Sequence, residues 1–437
     1  MIAILGAGES GIGAARLARW LGRDVWVSDA GRIQPVYRQV LEAERLPYEE
    51  GGHTEAKFFE AACVIKSPGI PDTAPLVRAL LAAGREVISE IEFGARHARA
   101  PIIAITGSNG KTTTTSLVHH MLVQAGVEAG LGGNIGESFA GMVAGEEVPE
   151  CYVLEVSSFQ LDNIVRFRPA IALLLNITPD HLDRYGYSMD SYGAAKFRIG
   201  MNQHADDHFI YCLDDPETMR QLPSHRLYAQ HRPFSLDRQA ASAAWVEDGW
   251  LVVGGEQVLP LSELPLLGPH NQRNALAALL AVGALGIAMP DAAAGLRSFR
   301  PIAHRLEPVG THDGVLYIND SKATNVDAVY HALQGMDRPV VLLAGGVDKG
   351  NDYTVLQPLV RDKVRAIVVL GQHREKIDQA FDCPIFQAMS MAEAVAVARR
   401  EARPGDVVLL SPACASFDLF RNYEDRGDQF RAAVQGL

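Results

Sequence analysis

The chain has little that would staple or anchor it. Its five cysteines (Cys63, Cys151, Cys212, Cys383 and Cys414) are scattered and odd in number, and no two are spaced C-x-x-C. That excludes a disulfide framework, argues against structural zinc, and predicts the reduced thiols of a cytoplasmic protein. Basic charge is also short: 40 Lys and Arg stand against 52 Asp and Glu, a net charge of −12. Nucleic acid is therefore not expected as a partner, because neutralising a phosphate backbone needs basic surface. Small anionic ligands need only a few local cations and helix N-termini, so they stay open. Long apolar runs are missing too. The stretch Ala275 to Met289 is wholly apolar but ends at Pro290, short of the roughly 20 residues of a membrane span, and reads as a buried helix. Met1 leads straight into an apolar strand with no basic segment or cleavage site, so no signal peptide is expected. Low-complexity segments and visible repeats are absent.

What is present is an ordinary globular composition, 48% hydrophobic and 21% charged over 437 residues, which suggests about three domains. We expect an α/β chain: a Rossmann-like first block over residues 1–95, a central nucleotide-binding block over 96–298, and a second doubly wound block over 299–437. The strongest motif lies in the central block. Thr106, Gly107, Ser108, Asn109, Gly110, Lys111, Thr112 and Thr113 follow the apolar run Pro101 to Ile105 and open a helical pattern. Strand, glycine turn and helix in that order aim backbone N–H groups at anionic oxygens, with the helix dipole adding to the attraction. Lys111 would reach the outer phosphates of ATP or GTP, and Thr112 would offer its hydroxyl to Mg²⁺. Ile105 stands where the common phosphate loop has its first glycine.

The first block carries a weaker signal. Ile2 to Leu5 reads as a strand, Gly6, Gly8 and Gly11 as G-x-G-x-x-G, and Val25 to Asp29 as a second strand ending in an acid. That spacing suits a dinucleotide, a different nucleotide, or merely a close-packed turn. Beyond the phosphate loop, Glu155 interrupts an apolar strand, and a buried carboxylate needs a cation. The choice is an ion pair or a metal, and a metal is favoured beside a nucleotide loop. His181 lies in an acid-rich loop past the strand Ile171 to Asn176, where spacing alone leaves it a surface histidine or a ligand. Lys196 reads as a helix lysine. Asn271 and Asn274 sit at a helix start, as a cap or as readers of an adenine edge. In the third block Asn319 to Asn325, Lys349 after Gly345 and Gly346, and Ser416 follow three strands. Parallel strands put such ends on one rim, which makes a binding crevice. A small side sheet is expected between Tyr211 and Pro265.

Together these segments resemble the ATP-dependent Mur ligases of peptidoglycan synthesis. Thr106 to Thr113, Glu155 to Gln160, Asn176 to Arg184, Tyr192 to Ile199, His270 to Asn274 and His304 to Glu307 occur in family order over nearly the whole chain. Asn319 to Asn325 and Ser411 to Asp418 are most similar to the D-glutamate-adding branch, and the Asp-Asn-Pro-Arg signature of the diaminopimelate-adding branch is absent. The resemblance implies that UDP-N-acetylmuramoyl-L-alanine and D-glutamate are joined at the expense of ATP. Ser10, Asp29, Ser67, Pro68, Gly69 and Asn134 would then lie on the uridine diphosphate substrate, with Ser157, Gln160 and Arg184 also on the substrate side. Gly107 to Thr113, Asn271, Arg305 and Asp320 would bind ATP. Thr112, Glu155, His181 and Lys196, the last as a carbamate, would hold Mg²⁺ or Mn²⁺. Lys322, Thr324, Lys349, Ser416 and Tyr423 would hold glutamate, Tyr423 keeping a ring where the family often has phenylalanine. A monomer that closes on its hinges is expected. The competing readings are an alanine-adding or L-glutamate-adding relative, a folylpolyglutamate-synthase-like ligase, an NAD-dependent oxidoreductase resting on the first glycine turn, and a nucleotide-binding switch.

Overall fold

The computed structural model describes residues 1–300, 303–347, 351–372, 374–416 and 418–437. It divides into two compact units. The first takes Met1–Glu263 and Arg273–Phe299, the second Leu264–Gln272 and Arg300–Leu437.

The first unit holds two sheets. One is wholly parallel, with strands β1 (Ile2–Leu5), β2 (Val25–Asp29), β3 (Tyr48–Glu50), β4 (Cys63–Lys66) and β5 (Val87–Ser89) in the order β3-β2-β1-β4-β5. Strand order reverses between β1 and β4, the position where such sheets open a crevice at their C-terminal ends. The turns after those two strands touch. Gly6 has φ +101°, and a Cβ there would lie 2.5 Å from Ser67 Oγ.

The second sheet contains β6 (Ile102–Thr106), β7 (Ala129–Gly133), β8 (Cys151–Glu155), β9 (Ile171–Leu174), β10 (His208–Cys212), β11 (Gln230–Phe234), β12 (Ala244–Glu247), β13 (Trp250–Val253) and β14 (Glu256–Pro260). Their order is β14-β13-β12-β11-β10-β9-β6-β8-β7. β6 and β8 are buried along their whole length, as near-continuous apolar strands in a parallel sheet should be. The expected side sheet is the antiparallel end β12–β14, attached to the parallel part through the single pair Phe234–Ala244.

One apolar cluster runs through both sheets, from Ile4 and Ile12 to Phe139, Tyr152 and Phe167. A buried carboxylate fastens them. Glu92, fully buried, accepts from the backbone N–H groups of Val165, Arg166 and Phe167 at 2.8–3.0 Å and from Arg96 Nε at 2.7 Å. With so many donors, the cost of burying its charge is met locally.

The second unit is built on β15 (Glu307–His312), β16 (Val315–Asn319), β17 (Val340–Ala344), β18 (Val364–Leu370), β19 (Ile385–Ala388) and β20 (Val407–Leu410), in the order β15-β16-β20-β17-β18-β19. All neighbours are parallel except β15 and β16. Separate apolar clusters around Leu342 and Leu343 mark the two covered faces of this sheet. Among the described residues the five cysteines are free, and no helix is long and apolar enough to cross a membrane.

Candidate active site

In the first unit the glycine turn Gly107–Gly110 leaves the C-terminal end of β6 and enters the helix Lys111–Gln124. Gly110 caps that helix with φ +83°, a conformation that suits glycine. A Cβ there would also sit 2.5 Å from Asn274 Oδ1. The loop is braced by the segment that follows β9. Asn109 N donates to Asn176 Oδ1 at 2.8 Å, and Asn176 Nδ2 returns a bond to Asn109 O at 3.1 Å. Ser108 Oγ donates to Thr178 O at 2.8 Å and lies 3.1 Å from the Tyr192 hydroxyl. A loop tied this way pays little ordering entropy when an anion arrives.

Two lysines converge on one oxygen. Lys111 Nζ donates to Gly107 O at 2.7 Å and to Ser108 O at 2.9 Å, while Lys196 Nζ reaches the same Gly107 O at 2.8 Å. Lys196 lies on the helix Met189–Phe197, almost fully buried, with its Nζ 4.5 Å from the Tyr192 ring centre. Burial, then the neighbouring Lys111 charge, push its pKa well below the ordinary lysine value, against the opposing pull of Asp180, Asp162 and Glu155. An amine in that position holds its proton less tightly than an ordinary lysine and is the more nucleophilic for it.

Glu155 ends β8 beside Ile105. Its Oε1 accepts from Asn134 Nδ2 at 2.8 Å, but its Oε2 is buried with no hydrogen-bond partner. An orphaned carboxylate oxygen at a nucleotide loop is the donor a hard divalent cation takes. His181 has φ +51° and a half-exposed ring, with Nε2 3.6 Å from Asp180 Oδ2 and its ring centre 5.2 Å from that of Phe159 in a T-shaped pair. Backbone strain of this kind costs on the order of 1 kcal/mol and gathers at functional loops. Among the described residues no group of three or more His, Cys, Asp or Glu side chains is gathered as a metal cage.

On the first sheet, Asp29 takes the N–H of Ala7 at 2.9 Å and of Gly31 at 2.9 Å, so it braces the first glycine turn. Ser10 lies in the first turn of the helix Glu9–Trp20. Ser157 and Gln160 form a reciprocal capping box on the short helix Ser158–Leu161. Arg184 turns its guanidinium onto the carbonyls of Pro68, Gly69 and Ile70.

In the second unit the ends of β16, β20 and β17 are knitted together. Asp320 N donates to Leu410 O, Ser411 N to Leu343 O, and Ala413 N to Ala323 O. Asp320 is buried and accepts from Ser411 Oγ at 2.9 Å and from Leu306 N at 3.2 Å; burial pushes its pKa up to about 7, against the nearby Arg305 charge. The stretch His304-Arg305-Leu306 bends through two left-handed non-glycine residues, His304 and Leu306. Arg305 Nε between them is buried without a hydrogen-bond partner. Lys322 Nζ stands 5.3 Å from the Tyr423 ring centre. Thr324 is half-buried, and Ser416 is buried. Lys349 lies outside the described residues. Asn271 falls within the first turn of the helix Pro269–Ala284 rather than at its cap, and its Nδ2 donates to Leu267 O at 2.8 Å. Pro269 fixes the start earlier than the asparagine signal suggests.

Three family models cover most of the chain: a Mur ligase MurD-like N-terminal domain over residues 1–89, a Mur ligase middle domain over 105–282, and a Mur ligase glutamate ligase domain over 304–414. The chain belongs to the Mur ligase family. The UDP-N-acetylmuramoylalanine–D-glutamate ligase of Christiangramia forsetii is 50% identical over 442 residues, covering 100% of this chain and 99% of that protein. The protein of the same name from Porphyromonas gingivalis W83 is 50% identical over 444 residues, covering 100% and 98%. The Mur ligase fold also recurs at low identity. The Thermotoga maritima UDP-N-acetylmuramate-alanine ligase MurC superposes with a TM-score of 0.63 at 18% identity, covering 100% and 99% of the two chains. MurF from the same organism, solved with ADP, gives 0.62 at 16%, covering 94% and 95%.

Within this Mur ligase, sequence reasoning missed the braces. Asn176, Thr178 and Tyr192 hold the phosphate loop through ordinary polar side chains inside longer motifs. Arg426 is almost fully buried in the helix Tyr423–Gln435, where it donates to Ser321 Oγ, Ser321 O and Cys414 O at 2.8–3.2 Å. In sequence it is one charged residue among many on an amphipathic helix. Lys66 is equally hidden at the end of β4.

Proposed function

We propose that this Mur ligase joins D-glutamate to UDP-N-acetylmuramoyl-L-alanine at the expense of ATP, forming ADP and phosphate in the assembly of peptidoglycan precursors. The half-identity along the full chain to ligases of that name supports the substrate pair. The geometric observation that carries the chemistry is the convergence of Lys111 and Lys196 on Gly107 O beside the orphaned oxygen of Glu155. Two amines and a free carboxylate oxygen at the end of one helix dipole suit a triphosphate with its cation.

The substrate carboxylate attacks the γ-phosphorus, the bond to the β-phosphate oxygen breaks, and an acyl phosphate and ADP result. Lys111 leaves the loop carbonyls for the outer phosphates, and the amides of Gly107 to Thr113 hold their oxygens; most of the acceleration is positioning and charge. The glutamate amine then attacks the acyl carbon, expels phosphate and loses a proton. Thr112, Glu155 and His181 are the residues that would hold Mg²⁺, or Mn²⁺ in its place, which offsets the phosphate charge. In its unprotonated form the Lys196 amine would add CO₂, forming an N–C bond and releasing one proton. The resulting carbamate would give the metal a further oxygen. Asn271, Arg305 and Asp320 are assigned to the adenosine and phosphate end, and Lys322, Thr324, Ser416 and Tyr423 to glutamate. Ser10, Asp29, Ser67 to Gly69 and Asn134 are assigned to the uridine diphosphate end, with Ser157, Gln160 and Arg184 on the same side. All these residues lie on one chain, which we read as a cytoplasmic monomer.

The test is phosphate release with ATP, Mg²⁺ and UDP-N-acetylmuramoyl-L-alanine, comparing D-glutamate, L-glutamate, L-alanine and diaminopimelate. D-Glutamate is expected to be the one productive acceptor. Release that ignores the amino acid, or that follows another acceptor, overturns the reading.

A further inference from the structure

The turn Ser67–Ile70 follows β4 at the crevice of the first sheet, against Gly6 of the first glycine turn. Its own backbone supplies few of its bonds. Ser67 N donates to Leu5 O and Ile70 N to Ser67 O. The carbonyls of Pro68, Gly69 and Ile70 are instead taken by two cations from opposite directions in the chain. Arg184 donates to Pro68 O at 2.7 Å, Ile70 O at 3.1 Å and Gly69 O at 3.2 Å. Lys66 donates from the strand end to Ile70 O at 2.6 Å. Ile70 O is therefore shared by both.

Each cation is itself held. Lys66 is 1% exposed and pairs with Asp72 Oδ1 at 3.2 Å, and Asn163 Nδ2 donates to both oxygens of Asp72 at 3.1–3.3 Å. Arg184 stacks on the Phe159 face at 4.1 Å, and the same ring meets His181. A buried ammonium is costly unless it is paired and hydrogen-bonded, as Lys66 is by Asp72 and Ile70 O, and nothing in the phosphoryl-transfer machinery uses Lys66. A planar guanidinium over three successive carbonyls admits one turn conformation.

We propose that Lys66 and Arg184 form a two-cation clamp that positions the Ser67–Ile70 turn for the uridine diphosphate substrate. Both are positioning residues. This rests on the functional reading above. The clamp accounts for the three bonds Arg184 makes to the carbonyls of the turn, which fix its guanidinium on backbone.

The test measures steady-state kinetics for each of the three substrates in turn, and calorimetric binding of UDP-N-acetylmuramoyl-L-alanine without ATP. Wild-type enzyme is compared with Lys66→Met, Arg184→Ala and Arg184→Lys. Lys66→Met and Arg184→Ala are each expected to raise the KM for the uridine substrate roughly tenfold and to weaken its binding equally, because a charge-assisted bond is lost. The KM values for ATP and D-glutamate should stay within about twofold, since a clamp on the far turn leaves their sites alone. Arg184→Lys, which keeps the charge but loses the fork, should fall between. Arg184 is half-exposed, so its variants report even where Lys66→Met does not fold. An active wild type whose Arg184 variants bind the uridine substrate normally, or lose all three KM values in parallel, overturns the clamp alone. A wild type that does not ligate overturns the functional reading instead.

Discussion

The first unit contains two glycine turns that look alike in sequence and differ in what fills them. Both follow the end of a buried parallel strand, and both open a helix. In the first turn the amide of Ala7 is taken by Asp29, and Gly6 rests against Ser67. In the second the nearest side chains to the loop carbonyls are the amines of Lys111 and Lys196, and the bracing comes from Asn176 and Thr178. An acid inside the turn disfavours a phosphate lying directly on those amides, whereas two amines call for one. A glycine pattern thus specifies a backbone shape, and the charged partner that closes it decides which part of a nucleotide the shape can take.

The largest expected effect comes from removing the cation that defines the second turn. Lys111→Ala should lower kcat/KM for D-glutamate ligation by about a thousandfold or more; a variant within tenfold of wild type would erase the distinction between the turns. Lys196→Ala should be nearly as damaging, and short carboxylates such as acetate or formate should restore part of the rate by replacing the carbamate oxygens. Unimpaired activity, or a loss that no carboxylate relieves, speaks against the carbamate.

The glycines give a paired comparison. Gly110→Ala meets Asn274 and Gly6→Ala meets Ser67, each at 2.5 Å and each at positive φ. Both substitutions should cost on the order of 1–3 kcal/mol of local strain. Gly110→Ala should raise the KM for ATP, and Gly6→Ala the KM for the uridine substrate; crossed effects would show that the turns do not divide the substrates. Asp29→Ala should be milder. Losing the acceptor of two amides costs about 1–2 kcal/mol, read as a lower denaturant midpoint with the KM for ATP unchanged.

The smallest effect on catalysis concerns Glu90, buried against Ala140 N with its Oε2 unpartnered. Burial pushes its pKa up to about 7. The folded state therefore holds a proton that the unfolded state gives up near pH 4.3. Stability should decline as pH rises from about 4 to about 7, by up to ~3 kcal/mol from this group. Glu90→Gln should flatten that part of the profile, as followed by chemical denaturation at several pH values. A profile unchanged by the substitution would mean that Glu90 stays ionised in the fold.

Much of this was legible in the chain. Apolar runs ending in glycine or polar clusters gave the strands β1, β6, β8, β16, β17 and β20 and their parallel arrangement, because burial on both faces forces that composition. The phosphate loop was legible because its chemistry is local: amides, a lysine and a hydroxyl on adjacent residues. Glu155 was legible as an anomaly, since a carboxylate in an apolar strand must be explained. The two lysines on Gly107 O, which lie 85 positions apart, were not. Nor were the buried cations Lys66 and Arg426, or the sharing of one core by the first two sheets. Spacing along a chain determines what a strand, turn or helix can present. Which distant carbonyl, carboxylate or ring each side chain meets is set by packing, because burial, not sequence distance, decides how far a charge must reach for its partner.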